Sequence, residues 1–244
     1  MHWLIKIALF SLVFSCQKAS ERSCWKVSGS VAQTKLPLTS FSYLHVHPHL
    51  EVTLVQDSVN YVAYDAGNNL LPFISAKIEK DTLQLQNNNR CRFFRYRSGD
   101  VKVVVHYKSL KELHLDNSEL VTNANQWSED EVLIFLKEGV GKVKLDLGVQ
   151  KVTVRNNYGW QTLQLSGAVG SLFVDLDGSA AIQASTLVVQ DSISFRSASP
   201  LASWIRVNDI KLKAQLYSTG DLFYSGLFSS LLKTEYSTGR VLSK

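Results

Sequence analysis

Three groups of side chains in this sequence have types and spacings that bear on chemistry. In Leu44-His45-Val46-His47-Pro48-His49, strand alternation puts His45 and His47 on one face, the spacing of a two-imidazole metal site. No third ligand follows from the spacing, and Pro48 bends the chain before His49, so a complete coordination set is absent and no metal is expected. The segment 87–97 sets Arg90, Arg92, Arg95 and Arg97 among Phe93, Phe94 and Tyr96. Guanidinium groups fork onto oxyanions and stack on rings, which suits anionic sugars, phosphates or a single strand of nucleic acid. The plainer reading is an exposed hairpin whose aromatics cover the end of the fold while the arginines stay in water. This segment is the best-defined binding candidate in the chain. The third group is Asp146, Asp175, Asp177, Asp191, Asp209 and Asp221 with Tyr158, Trp160, Tyr217 and Tyr224. Carboxylates beside aromatics suit polysaccharide cleavage, which needs paired acids, or a metal-bound carboxylate set beside a base. Asp177 precedes Gly178 and Asp209 follows Asn208, so turn chemistry accounts for such acids without catalysis. The chain holds no nucleophile elbow, phosphate-binding glycine loop or His-Glu-x-x-His motif. No catalytic residue and no cofactor is expected.

The elements that must carry these residues are strands. From residue 151 onward, turn residues recur as Tyr158-Gly159, Asp177-Gly178, Ala198-Ser199, Thr219-Gly220 and Thr238-Gly239, at spacings of 19 to 21 residues, with Gly139 one step earlier. Apolar residues keep the same step: Val152, Leu172, Ile193, Leu212 and Leu232 in one series, Val154, Val174, Phe195, Ala214 and Thr234 in a second. Within a unit, Ile210, Leu212, Ala214 and Leu216 alternate with Lys211, Lys213, Gln215 and Tyr217, the period of a strand with one buried face. A β unit repeated every ~20 residues predicts an all-β parallel solenoid in which no unit buries its apolar face alone. Upstream, 43–46, 51–56, 60–64, 74–78 and 82–86 read as further strands between turn signals. Leu113, Val132 and Val152 carry the ladder back before residue 151. The capping-box spacing from Ser128 to Glu131 is not read as a helix start, because the run 132–136 is five residues of apolar β formers already in phase with the ladder.

The chain has 244 residues, a formal charge of +5, and Gly and Pro at 13 and 4. That composition excludes collagen-like and low-complexity chains, and no linker divides two halves. Basic residues are interleaved with acids, so no nucleic-acid partner is expected. The N-terminus has the outline of a secretory signal: Lys6, an apolar run over 7–14 too short to span a bilayer, and Ser15 before Cys16. Val13-Phe14-Ser15-Cys16 resembles the lipobox of bacterial lipoproteins, which implies acylation of Cys16, a membrane anchor and an envelope location, with Gln17 in place of the aspartate that retains many lipoproteins in the inner membrane. Export lets the other two cysteines, Cys24 and Cys91, pair across about 67 residues, a closure of roughly 4 kcal/mol. Two independent thiols, with Cys24 in a flexible tether, is the equal alternative.

A family resemblance follows from the residues. Phe41, Glu51-Val52-Thr53-Leu54, Asn68-Asn69-Leu70-Leu71-Pro72, Asp81-Thr82-Leu83-Gln84-Leu85, and the run 101–107 with Leu110 and Leu113 resemble the auto-transporter adhesin head (GIN) domain family of Bacteroidota. So do the closing turns Ser218-Thr219-Gly220-Asp221, Tyr224-Ser225-Gly226 and Ser237-Thr238-Gly239-Arg240-Val241. The resemblance covers about residues 36–244 and implies a right-handed parallel β-helix-like fold, an exported or anchored protein, and no catalytic residues. Two turns depart from the family pattern, Asn156-Asn157-Tyr158-Gly159-Trp160 and Ala198-Ser199-Pro200. The expected organisation is a signal over 1–15, a tether over 16–35 and a solenoid domain over 36–244. The leading functional expectation is a non-enzymatic, lipid-anchored envelope protein, on the periplasmic or the outer side of the outer membrane, that presents a solenoid surface for binding or adhesion, with an anionic glycan or surface partner. The alternatives are a carbohydrate-active β-helix enzyme of lyase or glycosidase type and a structural envelope scaffold.

Overall fold

Strand alternation organises the described residues into a β-solenoid of about seven turns. The computed structural model describes residues 27–91 and 101–244. Its strands are β1 (Val31–Pro37), β2 (Tyr43–Val46), β3 (Glu51–Gln56), β4 (Tyr61–Gly67), β5 (Ile74–Glu79), β6 (Thr82–Asn87), β7 (Lys102–Tyr107), β8 (Glu112–Leu115), β9 (Val121–Asn123) and β10 (Glu131–Leu136). Then come β11 (Lys142–Asn156), β12 (Thr162–Leu176), β13 (Ala181–Ser197), β14 (Ser203–Arg206), β15 (Ile210–Leu216), β16 (Leu222–Ser225), β17 (Phe228–Glu235) and β18 (Val241–Ser243). The one helical piece among the described residues is a 3-10 turn at Leu71–Phe73. The segment from Ser128 is no helix; it leads into β10, in phase with the ladder.

Pairing sorts these strands onto two faces. One face stacks β6, β2, β8, β10, the second halves of β11, β12 and β13, then β15 and β17, all parallel. The other stacks β7, β3, β9, the first halves of β11 to β13, then β14, β16 and β18. Strands β11 to β13 therefore serve both faces without a break. Gly167 lies in β12 where the chain crosses over; its φ is +93°, and a Cβ there would stand 2.2 Å from the Leu147 carbonyl oxygen, so only glycine fits the approach.

The core lies between the faces. On the first, Leu83, Leu44, Leu113, Ile134, Val154, Val174, Phe195 and Ala214 form one inward column through successive register pairs, all nearly inaccessible. On the second, Val103, Val52, Val121, Val143, Leu163 and Ile182 form another. Each coil buries its apolar residues only against its neighbours, and each side chain so buried contributes roughly 1.5–3 kcal/mol. Trp127 is wholly buried, and its indole Nε1 donates to the Leu110 carbonyl at 2.9 Å.

Three expectations change. Val152, Leu172, Ile193 and Leu212 do align, but the next member is Leu231. A register shift after Ile210 inserts Ser229 as an extra residue, so Leu232 is 62 % exposed and Thr234 gives its place to Lys233. Leu113 pairs with Ile134 rather than Val132, a slip of two that keeps the same face inward. Residues 31–35, placed in the tether, belong to β1, which pairs antiparallel with β4. Strands β4 and β5 are themselves antiparallel to β7 and β6, so antiparallel strands close the N-terminal end and its parallel edges are covered. At the other end Leu227, Leu232, Tyr236 and Leu242 are exposed.

Candidate functional site

The outward residues of the first face form rows that continue from coil to coil. One runs Gln84, His45, His114, Phe135, Arg155, Asp175, Arg196, Gln215. Beside it, one residue past each strand or near its end, lie Gln86, His47, Asp116 and Lys137. The backbone bonds His47 N–H to Leu85 O, Asp116 N–H to Val46 O and Lys137 N–H to Leu115 O continue the parallel ladder through them.

At the closed end these rows bring histidines together. His45 Nε2 lies 2.7 Å from Asp116 Oδ2, and His47 Nδ1 lies 4.0 Å from the same oxygen. The rings of His45 and His47 are 4.1 Å apart, and His114 lies 6.1 Å from His45. His114 is itself held by Glu112 at 2.8 Å. Burial pulls the His47 imidazolium below its ordinary pKa, partly offset by its bond to Gln84. Burial works against the Asp116 carboxylate, yet the bond from His45 and the charges of His45 and Lys137 hold its pKa below the usual range. His49, which the sequence separates by Pro48, goes elsewhere: its Nδ1 is 3.4 Å from Glu119 Oε1.

A second concavity lies beside the antiparallel cap. A pocket of about 650 Å³ is lined by Lys35, Pro37, Val59, Tyr61 and Lys108 among others. Tyr61 stacks on His106 at 3.9 Å, and His106 Nδ1 pairs with Asp57 Oδ2 at 2.9 Å, which fixes the ring pair. Lys35 Nζ stands 5.3 Å from the Tyr61 ring centre. With Lys35 and Lys108 both in its lining, the pocket suits a ligand that carries an anionic substituent.

Two members of the aspartate row meet at one base: Arg196 Nη1 donates to Asp175 Oδ1 at 2.5 Å and to Asp177 Oδ1 at 2.7 Å, so both carboxylates are acceptors in one ion-pair cluster. The same guanidinium lies 5.1 Å from the Tyr217 ring, which stacks on Tyr236 at 4.4 Å. Asp221 Oδ1 accepts from the Arg240 N–H at 2.8 Å, and Asp209 occupies a left-handed turn position at φ +54°. Tyr158 and Trp160 are exposed at a separate turn.

Of the arginine-rich segment, Arg90 is described and exposed; Arg92, Phe93, Phe94, Arg95, Tyr96 and Arg97 lie outside the described residues. So do Cys16 and Cys24. Cys91 is disulfide-bonded. Two features escaped the sequence. Asp116 carries no local signal, being 71 residues from His45, and the Tyr61 pocket takes Lys35 and Pro37 from β1, a strand that the sequence did not show. No helix among the described residues is long and apolar enough to cross a membrane.

Comparison with known proteins fits this architecture. No curated protein matches the chain. Among solved structures, a putative adhesin from Bacteroides fragilis NCTC 9343 superposes with a TM-score of 0.80 at 16% identity, covering 90% of this chain and 99% of that one. A putative adhesin from Parabacteroides distasonis ATCC 8503 gives 0.63 at 17% identity, with 90% and 99% covered. A putative lipid binding protein from the same strain gives 0.60 at 15% identity, with 89% and 99% covered. At these identities the likeness is one of fold. Residues 40–227 match the family described as "Putative auto-transporter adhesin, head GIN domain", and the chain belongs to that family.

Proposed function

We propose that the protein is a non-enzymatic, lipid-anchored envelope protein that holds a rigid solenoid surface out for binding, and that its partner is an anionic glycan. The observation that carries this reading is the pocket beside the antiparallel cap, whose lining includes Lys35, Tyr61 and Lys108, with Lys35 Nζ over the Tyr61 ring. The arginines and rings of the segment 87–97 offer the same chemistry in the sequence, and their cluster is proposed as a second contact for the same class of ligand. The adhesin family supports an envelope or cell-surface location. Anchoring through Cys16, the outer membrane as its site, and a Cys24–Cys91 bridge belong to this proposal.

The test is binding to isolated anionic envelope polysaccharide, with a neutral polysaccharide as control, from 0.1 M to 1 M salt, over which the Debye length falls from ~10 Å to ~3 Å. The wild type should bind the anionic polymer and lose affinity with salt. Changing Lys35 and Lys108 to Gln should flatten that dependence through the pocket; changing Arg92, Arg95 and Arg97 to Gln tests the segment. Equal binding of the neutral polymer, or no loss in either variant, overturns the charge-assisted reading.

A further inference from the structure

The pairing of β2 beside β8 places a third protein ligand next to the two histidines. We propose that His45, His47 and Asp116 form a binding site for a divalent transition metal, of the class that takes zinc, on the outer surface of the solenoid's closed end.

Four observations carry it. First, the ligand atoms converge: one nitrogen of each imidazole and one carboxylate oxygen all lie within 4.8 Å of one another. Zinc with bonds of about 2.0–2.2 Å needs its ligand atoms about 3.3 Å apart in a tetrahedron. The separations of 2.7 Å and 4.0 Å about Asp116 Oδ2 bracket that value. Second, the imidazole farther from Asp116 is already oriented. Gln84 Oε1, an acceptor, lies 3.0 Å from His47 Nε2, and the Gln86 amide Nε2 lies farther off at 3.5 Å from the same nitrogen; the shorter contact favours the proton on Nε2, the tautomer that leaves the Nδ1 lone pair for an ion beside Asp116. An outer-shell acceptor on the far nitrogen is how metal-binding histidines are commonly held. Third, Asp116 Oδ1 is buried and has no hydrogen-bond partner among the described residues, leaving a lone-pair acceptor that a cation would satisfy. Fourth, the side chains of His45, His47 and Asp116 are 14%, 28% and 19% exposed, which gives an ion a path in and leaves room for water as a further ligand.

Two imidazoles and one carboxylate favour zinc, copper, nickel or iron over magnesium and calcium, which prefer all-oxygen sets. When a metal binds, the proton on neutral His45 moves from Nε2 to Nδ1 and the freed Nε2 lone pair takes the ion; from the imidazolium, one proton is released to solvent. The charged and titratable neighbours are Lys137, whose charge reaches both His47 and Asp116, and the His114–Glu112 pair beyond His45. Lys137 opposes a cation, so the affinity is set lower than the three ligands alone would give.

The test uses the mature chain without a polyhistidine tag, titrated with Zn²⁺ by calorimetry and with Co²⁺ by visible absorption. One ion per chain is expected, with a rise in thermal stability, cobalt ligand-field bands, and little response to Mg²⁺. His47→Gln and Asp116→Asn should each weaken binding at least tenfold, Gln84→Ala by roughly 10-fold through lost orientation, and His49→Gln should leave it unchanged. Lys137→Gln should tighten it. If Asp116→Asn does not fold, the more exposed His47→Gln decides. Absence of saturable Zn²⁺ binding by the wild type, undiminished binding in folded His47→Gln, or equal affinity for Mg²⁺ overturns the site.

Discussion

Asn156 occupies an inward position of the first face, between Leu136 and Leu176 in the register, and is 1 % exposed. Its Nδ2 donates to the Leu136 carbonyl at 3.0 Å and lies 3.4 Å from that of Gly159, while its Oδ1 accepts from the Gly178 N–H at 3.0 Å. One amide thus ties the turns of three successive coils. Asn156→Asp keeps the shape and the acceptor but turns the donor into an oxygen facing two carbonyls. Burial and that repulsion raise the new carboxyl; a shift of about 3 units from ~3.9 puts it near 7. The folded state then holds a proton that the unfolded chain loses near pH 4, so unfolding free energy must fall as pH rises between those values, by about 1.4 kcal/mol per unit. Relative to wild type, the variant should lose about 1 kcal/mol near pH 4, where only the amide donor is missing, and about 4 kcal/mol more by pH 7. Denaturant unfolding followed by the fluorescence of buried Trp127, at half-unit steps from pH 4 to 8, reads the difference. A wild-type-minus-variant gap that stays flat across this range would refute the reasoning, because the side chain would then be open to water.

Two further outcomes follow from the register and the N-terminus. Leu212→Asp puts a charge into the column between Ile193 and Leu231 and should cost more than about 4 kcal/mol, whereas Leu232→Asp, on the exposed side of the shift, should stay within about 0.5 kcal/mol; thermal melts of the pair check it, and equal losses would restore the unshifted register. Cys16→Ser should move the protein from the membrane to the soluble fraction and abolish incorporation of labelled fatty acid, and a wild type that never takes up label rejects the anchor.

Much of the fold was legible because alternation reports which side chains face inward. It located β2, β3, β5 and β6 to within a residue, and it rejected a helix at Ser128. What alternation does not report is the neighbour. Intervals of 19 and 21 residues look alike in the sequence, so Leu113 was matched to Val132 rather than Ile134, and one inserted residue at Ser229 displaced the last rung. Strand β1 left no trace, because it is exposed along almost its whole length and no buried face imposes a period on it. The same limit applies to the site. His45 and His47 were visible as an alternating pair, but Asp116 joins them only because β2 lies between β6 and β8, an insertion that no local pattern encodes.

That insertion divides the molecule mechanically. Past β10, each coil pairs mainly with the coils before and after it in the chain, so a pull on the C-terminus should peel the stack one coil at a time. Each step would release ~20 residues, or roughly 65–70 Å of extended chain. The closed end resists differently. Strand β2 is held between β6 and β8, and β3 between β7 and β9, so neither leaves until partners 40 to 70 residues away give way. Under load the chain should therefore shorten its stack in small, reversible increments from the far end while the interwoven block yields last and as a unit, a graded extensibility at one end and a stop at the other.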